Sequence, residues 1–260
     1  IVSIVEDQKG GIWFATEGGG LNYLFEDEIT YVTEREGLVS NHLGSLIQDG
    51  DGVLWAGCNQ GLNRIEERFD ATGKSYFHIT LYTTNDGLKG TDLIGDPVID
   101  SYNNLWLCGG KGSEKLNLDE FKLSQEPPVL SLKQIDIDQE FLDYRMLTDS
   151  QRTDIKFANV LAYTNVPENL VLPYYKNHLT FHFSATDWNA PHKIKYSYRM
   201  KGLETAWSNP SHATQADYRN LSYGDYTFMV MAMGESGEWS APVSYNFVIS
   251  PPWWQTWWAR

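Results

Sequence analysis

One short pattern occurs three times in the first 120 residues: an aspartate followed six residues later by a tryptophan. The pairs are Asp7 with Trp13, Asp49 with Trp55, and Asp100 with Trp106, so the tryptophans are spaced 42 and 51 residues apart. A short apolar stretch precedes each aspartate, and the residues between the pair favour a tight hairpin turn. A period of about 40–50 residues made of short strands is typical of a β-propeller blade, which buries its faces against neighbouring blades.

Two polar, glycine-containing stretches connect the repeats, residues 33–41 and 84–92. They resemble each other and join strands, so we expect them at one end of the blades. Loops on a rigid scaffold are common binding places, and these predict ligand contacts, with plain turn chemistry as the alternative. The candidate contact residues are Arg35, Asn41, His42, Asn85 and Asp92.

The repeat ends near Glu126, where two prolines follow and a strand ladder cannot continue. Beyond it, apolar and polar residues alternate as they do in half-buried strands. The alternating stretches are residues 129–138, 178–187, 193–201, 226–233 and 243–249, with a one-residue slip near Lys133 that suggests a β-bulge. Tyr226 resembles the tyrosine corner of sandwich domains, and Trp207 is the candidate core tryptophan. We therefore predict an immunoglobulin- or fibronectin III-like β-sandwich over residues 126–250.

Four of the ten tryptophans occupy the last eight residues. Adjacent tryptophans followed by an arginine are typical of a chain entering a bilayer, where indole rings favour the headgroup layer. A packed aromatic patch on the domain or on a dimer partner is the alternative. We expect a juxtamembrane segment over residues 251–260, with membrane-proximal Trp253, Trp254, Trp257 and Trp258.

The net charge of −14 argues against nucleic acid or an anionic membrane surface as the main partner. Residues 1–125 hold 20 acidic and 9 basic side chains, against 14 and 11 in residues 126–260. Two cysteines exclude a disulfide framework, and Cys58 and Cys108 are expected to be small buried strand residues.

No catalytic, phosphate-binding or metal-binding motif is recognisable, so we expect neither a cofactor nor a metal site. His178 and His182 belong to a predicted strand and would lie roughly 13 Å apart, too far to share one metal ion. The turn at Asp49 and Asp51 suggests calcium only weakly, because the matching turns lack the second acid.

Five segments of the second half resemble the Y_Y_Y domain: residues 177–183, 196–207, 218–228, 237–240 and 251–258. The first half resembles two-component regulator propeller repeats, through Asp-x-x-Gly-x-Leu/Ile-Trp and Gly-Leu-Asn. The third repeat departs from this pattern, with Asn103 and Asn104 at its turn. The expected division is thus C-terminal propeller blades in 1–125, a Y_Y_Y-type sandwich in 126–250 and the tryptophan-rich segment in 251–260. The expected core residues are Trp13, Trp55, Trp106, Tyr196, Tyr198, Trp207 and Tyr226.

The resemblance implies the periplasmic sensor region of a Bacteroides-type hybrid two-component system, an inner-membrane histidine kinase with a response regulator. It implies an oligosaccharide or similar small ligand, a homodimer through the sandwich, an adjacent membrane, and no nucleic acid contacted by this segment. Catalysis would belong to the kinase of the parent protein. A glycan-active enzyme and an adhesion or scaffold protein with an accessory sandwich are the alternatives.

Overall fold

A computed structural model describes residues 1–70, 72–110, 112–123, 126–252 and 254. Their backbone forms eighteen β-strands and one six-residue α-helix, which confirms the all-β prediction. Internal contacts divide the chain into two compact units, Ile1–Leu123 and Ser124–Arg260.

The first unit contains three antiparallel sheets, named blades 1 to 3, whose strands are neighbours in chain order. Blade 1 consists of β1 (Ser3–Glu6), β2 (Ile12–Ala15), β3 (Leu21–Phe25) and β4 (Glu28–Val32). Blade 2 consists of β5 (Leu43–Gln48), β6 (Leu54–Cys58), β7 (Gly61–Phe69) and β8 (Ser75–Tyr82). After a 3-10 turn at Thr84–Asp86, blade 3 has three strands among the described residues: β9 (Gly95–Ile99), β10 (Asn104–Gly109) and β11 (Gly112–Asn117).

The repeat aspartate closes the hairpin between the first two strands of each blade. In blade 2, Asp49 Oδ1 accepts hydrogen bonds from the amides of Asp51 at 3.1 Å and Val53 at 2.9 Å. The third residue after the aspartate has a left-handed backbone, with φ of +83° at Gly10, +84° at Gly52 and +56° at Asn103. Asparagine tolerates this region better than other side chains, which explains how the third repeat keeps the turn without glycine.

The other carboxylate oxygen holds the tryptophan. Asp49 Oδ2 accepts the indole N–H of Trp55 at 2.8 Å, and Asp100 Oδ2 accepts that of Trp106 at 2.8 Å. The six-residue spacing therefore lets one carboxylate close the turn and orient the indole.

Small residues let the blades approach closely. Every residue of β6 is buried, and a Cβ added at Gly57 would lie 2.0 Å from the carbonyl oxygen of Leu93. Leu93 belongs to the connection before β9, and its amide donates to the Cys58 carbonyl at 3.0 Å. Apolar side chains fill one cluster that includes Trp13, Leu54 and Ile65, and a second that includes Trp55 and Leu105.

The second unit is a sandwich of two sheets. Its strands are β12 (Val129–Ile137), β13 (Leu170–Pro173), β14 (Leu179–Thr186), β15 (Lys195–Lys201), β16 (Gln215–Tyr218), β17 (Gly224–Met233) and β18 (Val243–Ser250). One sheet has the order β12-β14-β16 and the other β13-β18-β17-β15, with β13 parallel to β18. Helix α1 (Asp149–Asp154) lies between β12 and β13 in the chain, and a 3-10 turn at Pro191–Lys193 precedes β15.

Two local predictions for the sandwich are confirmed. The pairing of β12 with β14 shifts register between Leu132 and Gln134, which places a bulge at Lys133. The Tyr226 hydroxyl donates to the Ser222 carbonyl at 2.8 Å, which is the contact of a tyrosine corner. Both features could be predicted because each depends on neighbouring residues in the chain.

Three burial predictions are wrong. Trp106 is 39% exposed and Cys108 is exposed, because both side chains project from the face of β10 opposite the buried Leu105 and Leu107. Trp207 is only half-buried: it follows β15 and lies under the Arg199 guanidinium, 4.6 Å from the ring centre.

The sandwich core is formed by other rings, including Phe181 and Phe228, which stack at 4.2 Å. Tyr196 and Tyr226 are buried within it, whereas Tyr198 packs against it from a half-buried position.

Three of the four membrane-proximal tryptophans, Trp253, Trp257 and Trp258, lie outside the described residues. Trp254 is 48% exposed, with its ring centre 5.4 Å from that of Tyr174. In the part of the chain that the structure describes, no helix has the length and apolar character needed to span a bilayer.

Candidate ligand-binding site

The blades present two kinds of connection at opposite ends, because successive strands run antiparallel. The aspartate hairpins, residues 7–11, 49–53 and 100–104, form what we call the turn end. The inter-blade connections, residues 33–42 and 83–94, form the loop end. The five predicted contact residues all belong to the loop end.

The turn end contains a cleft of about 470 Å³. Its polar lining residues are Asp7, Gln8, Lys9, Gln48, Asp49, Asp51, Arg64, Glu66, Glu67 and Asn103. Its aromatic lining residues are Trp13, Tyr23, Trp55, Phe77 and Phe121. Ligand pockets commonly combine ring surface with a few polar groups in this way.

Ring packing makes the apolar side of the cleft rigid. Tyr23 stacks on Trp13 with ring centres 4.3 Å apart, and Phe77 meets the same indole edge-on at 5.2 Å. Phe121 meets Trp55 edge-on at 5.5 Å. The two indoles are buried, so the ring surface offered to a ligand comes from the three half-buried rings of Tyr23, Phe77 and Phe121.

Strand β7 supplies the most buried charge of the cleft. Arg64 is 9% exposed, donates from Nη1 to Glu66 at 3.0 Å, and places its guanidinium 5.9 Å from the centre of the Trp55 ring. Burial would raise the pKa of Glu66, but hydrogen bonds from Arg64 and Arg68 hold that pKa below its ordinary value. Arg64 Nε has no hydrogen-bond partner among the described residues, so the cleft retains one buried donor.

The cleft rim is more exposed. Lys9 Nζ lies 2.6 Å from Glu67 Oε2 in an ion pair open to solvent. Burial and a hydrogen bond to Asp7 raise the pKa of the Tyr23 hydroxyl, so it remains a neutral donor at physiological pH. The cleft therefore offers donors and acceptors side by side, which suits a ligand rich in hydroxyl groups.

The loop end uses several predicted residues for its own fold. Asn41 Oδ1 accepts the Glu34 amide at 2.9 Å, and Glu34 Oε1 accepts the Asn41 amide at 3.0 Å. The Asn85 amide donates to the Thr83 hydroxyl at 3.2 Å. These contacts agree with the alternative of turn chemistry for Asn41 and Asn85.

The remaining candidates are exposed and belong to two different connections. Arg35 and His42 belong to the first connection, and Asp92 belongs to the second. Of the five, only Asp92 lines the small loop-end cavity of about 120 Å³. The predicted contacts of these side chains remain predictions.

Sequence reasoning missed the turn-end cleft. Its charged residues Arg64, Glu66 and Glu67 lie on β7, whereas Lys9 lies in a turn more than fifty residues earlier. The available signal was Arg64 itself, a cation between the apolar strand residues Leu62 and Ile65, where an unpaired charge is costly.

The two sandwich histidines make separate contacts. His178 Nε2 lies 2.6 Å from Asp217 Oδ1, and His182 Nε2 lies 2.8 Å from Asp136 Oδ2. Across the described ranges, no group of three histidine, cysteine or acidic side chains is arranged to hold a metal ion.

Comparison with protein families finds one match in each half of the chain. The family described as "Y_Y_Y domain" matches residues 189–250, and "Two component regulator propeller" matches residues 1–18. Residues near the start of the chain thus match a regulator propeller repeat, and residues in its second half match a Y_Y_Y domain. The resemblance inferred from the sequence is thus confirmed.

The chain is similar to "Histidine kinase P4" of Formosa agariphila, with 27% identity over 267 residues that cover 100% of this chain and 18% of the relative. A solved structure, the extracellular domain of the putative hybrid two-component system BT3049 from B. thetaiotaomicron, matches with a TM-score of 0.70. That match has 23% identity and covers 96% of this chain and 32% of the other, so it shows a shared fold. This chain therefore spans a third or less of the length of these relatives.

Proposed function

We propose that this chain is part of the extracytoplasmic sensor region of a transmembrane hybrid two-component histidine kinase. The order of propeller repeats and Y_Y_Y domain, the similarity to a histidine kinase and the fold shared with an extracellular domain support this assignment. The sensor region would lie in the periplasm, attached to an inner-membrane protein. Kinase chemistry would belong to the parent protein outside this segment.

The ligand we propose is an oligosaccharide bound in the turn-end cleft. The observation that carries this choice is the position of Arg64 and Glu66 beside aromatic rings. Sugar hydroxyls can accept from the guanidinium and donate to the carboxylate, while Tyr23, Phe77 and Phe121 offer apolar surface to a sugar ring.

Signalling would require two states of a dimer formed through the Y_Y_Y sandwich. A bound ligand shifts such an equilibrium only by its difference in affinity for the two states. The output would be transcription of genes for use of the recognised glycan.

Calorimetric titration with a panel of oligosaccharides tests the ligand and its location. The Lys9→Gln/Glu67→Gln double variant removes an exposed ion pair, which contributes at most about 1 kcal/mol to stability, so the fold should persist. We expect it to weaken binding, whereas the loop-end variant Arg35→Gln/His42→Gln should bind like the unaltered chain.

Three outcomes would contradict this proposal in different ways. Loss of binding in the loop-end variant alone would move the site to the other end of the blades. Turnover of a panel member would favour a glycan-active enzyme. Binding of none of the oligosaccharides would remove the ligand class while leaving the domain assignment intact.

A further inference from the structure

The irregular segment of the sandwich forms a cleft of about 590 Å³ with an unusual charge. Arg145, Arg152 and Lys156 line it, and its lining contains no carboxylate. Within the described ranges, none of the three forms an ion pair with an acidic side chain. Three cations without acidic partners are unexpected in a chain whose net charge is −14.

The cationic cleft, as we call it, is built on fixed backbone. Arg145 Nη2 donates to the carbonyls of Leu161 at 2.9 Å and Thr164 at 2.7 Å, which orients this guanidinium. Lys156 exchanges two backbone hydrogen bonds with Val171 of β13, at 3.1 and 2.7 Å. The cleft therefore has an oriented guanidinium at Arg145 and a backbone that is paired with β13 at Lys156.

An aromatic cluster adjoins the cationic cleft. Tyr174 and Tyr175 directly follow β13, and their rings meet edge-on at 5.3 Å. The Trp254 ring lies 5.4 Å from that of Tyr174, and all three side chains are between 38% and 52% exposed. A hydrogen bond to Asp154 of α1 raises the pKa of the Tyr175 hydroxyl and ties the aromatic cluster to the helix that carries Arg152.

We infer that this combined surface binds the anionic phospholipid headgroups of a bilayer. Arginine and lysine near a membrane are attracted to anionic headgroups, and tyrosine and tryptophan favour the interfacial layer between water and acyl chains. The surface offers both, side by side, with its rings exposed. An anionic soluble ligand would explain the cations but not the adjoining exposed rings.

The acidic charge of the whole chain does not oppose this local contact. Most of the excess acid lies in residues 1–125, which hold 20 acidic and 9 basic side chains, whereas residues 126–260 are nearly balanced at 14 and 11. Exposed charges more than about 8 Å apart are largely screened at physiological ionic strength. Asp154 lies at the edge of this surface, where its carboxylate is hydrogen-bonded to Tyr175. Headgroups over the cleft itself would respond mainly to the three cations that line it.

The inference rests on the proposed function only in placing a bilayer near the sandwich. Its test uses vesicles and no oligosaccharide, so the two proposals can fail separately. The 260-residue chain is sedimented with vesicles of phosphatidylcholine alone and of phosphatidylcholine with phosphatidylglycerol. We expect binding to the anionic vesicles that falls as salt is added.

The decisive variant is Arg152→Gln/Lys156→Gln, because both side chains are exposed and Arg145 keeps its structural contacts. Each cation removed should weaken vesicle partitioning roughly fivefold. The matched control is Lys195→Gln/Lys201→Gln, which removes the same charge from β15, and it should bind like the unaltered chain. Tyr174→Ser should weaken binding without changing the salt dependence.

Several results would overturn the inference. If Arg152→Gln/Lys156→Gln and Lys195→Gln/Lys201→Gln lost vesicle binding equally, binding would depend on net charge alone. Equal binding to both vesicle compositions, or none to either, would remove the role of anionic headgroups. Displacement of the chain from vesicles by millimolar inorganic phosphate, at constant ionic strength, would assign the cleft to a soluble anion.

Discussion

Asp49 accepts hydrogen bonds from two turn amides and from the Trp55 indole, so a single side chain holds both the hairpin and the core. Asp100 makes the corresponding contacts with Asn104 and Trp106. These bonds hold the pKa of Asp100 well below its usual range, the Trp106 indole having the largest effect. The two sites differ in burial, since Trp55 is 1% exposed and Trp106 is 39% exposed.

We expect Asp49→Ala to lower the free energy of unfolding by about 2 kcal/mol, because it leaves the buried Trp55 N–H without an acceptor. Asp100→Ala should lower the free energy of unfolding by less, because water can hydrogen-bond to the exposed Trp106 indole. Urea unfolding of both variants checks the ranking. Asp51→Ala is the control and should leave stability unchanged, because the Asp51 side chain is exposed. An equal loss of unfolding free energy in Asp49→Ala and Asp100→Ala would contradict the argument from burial.

Asp217 links stability to pH. Burial opposes its ionisation, but hydrogen bonds from Arg219, His178 and Thr180 lower the pKa of this carboxyl to about 2. Because the folded-state pKa lies below the unfolded value of about 3.9, the stabilisation is complete above pH 4 and is lost as pH falls toward 2.

Asp217→Asn should therefore be less stable than the unaltered chain at pH 5, and the difference should shrink at pH 3. Urea unfolding at both pH values measures it. Asp225→Asn is the control, because within the described residues the Asp225 carboxyl has none of the side-chain hydrogen bonds that Asp217 accepts. A stability difference that is independent of pH would show that Asp217 contributes through shape and not through its charge.

Between elements, the close approach of β6 to the chain before β9 depends on small side chains. A Cβ at Gly57 would lie 2.0 Å from the Leu93 carbonyl oxygen and 2.4 Å from Ser45 Oγ. Backbone must move to relieve the first of these contacts, because a carbonyl cannot rotate away as a flexible side chain can.

Gly57→Ala should destabilise the first unit by about 2 kcal/mol or more, since overpacking a rigid interior forces backbone shifts. Guanidinium unfolding provides the measurement. Gly50→Ala is a matched control, because no heavy atom lies within 4 Å of the Cβ it adds. Equal stability of the two variants would mean that the blades are loosely packed at this contact.

Most strands could be predicted because their signals are local. The alternation in residues 226–233 and 243–249 marked β17 and β18, and the aspartate turns marked the hairpins of the blades. Strands β13 and β16 were missed because four residues are too short to display alternation. Their strand conformation comes from pairing with β18 and β14, which are distant in sequence.

Across the molecule, internal contacts separate Ile1–Leu123 from Ser124–Arg260. Asp49 stabilises the first unit, and the tyrosine corner of Tyr226 stabilises the second. Two sites without shared partners should contribute additively to stability.

We expect calorimetry to show two transitions, with Asp49→Ala lowering one midpoint and Tyr226→Phe the other. Tyr226→Phe should cost about 1 kcal/mol, the value of one hydrogen bond. Tyr223→Phe serves as the control, because Tyr223 is 54% exposed. A single transition that both variants shift would show that the units unfold together.

The amino-acid sequence alone determined the repeats, five of the seven sandwich strands and the tyrosine corner, since hairpins and alternation follow from residues close in the chain. Tertiary structure alone decided that Trp106 is exposed, that Arg64 and Glu66 border a cleft with Lys9, and that Asp154 meets Tyr175. Those side chains meet only after sheets pack, and a contact between distant residues leaves no periodic trace in the sequence.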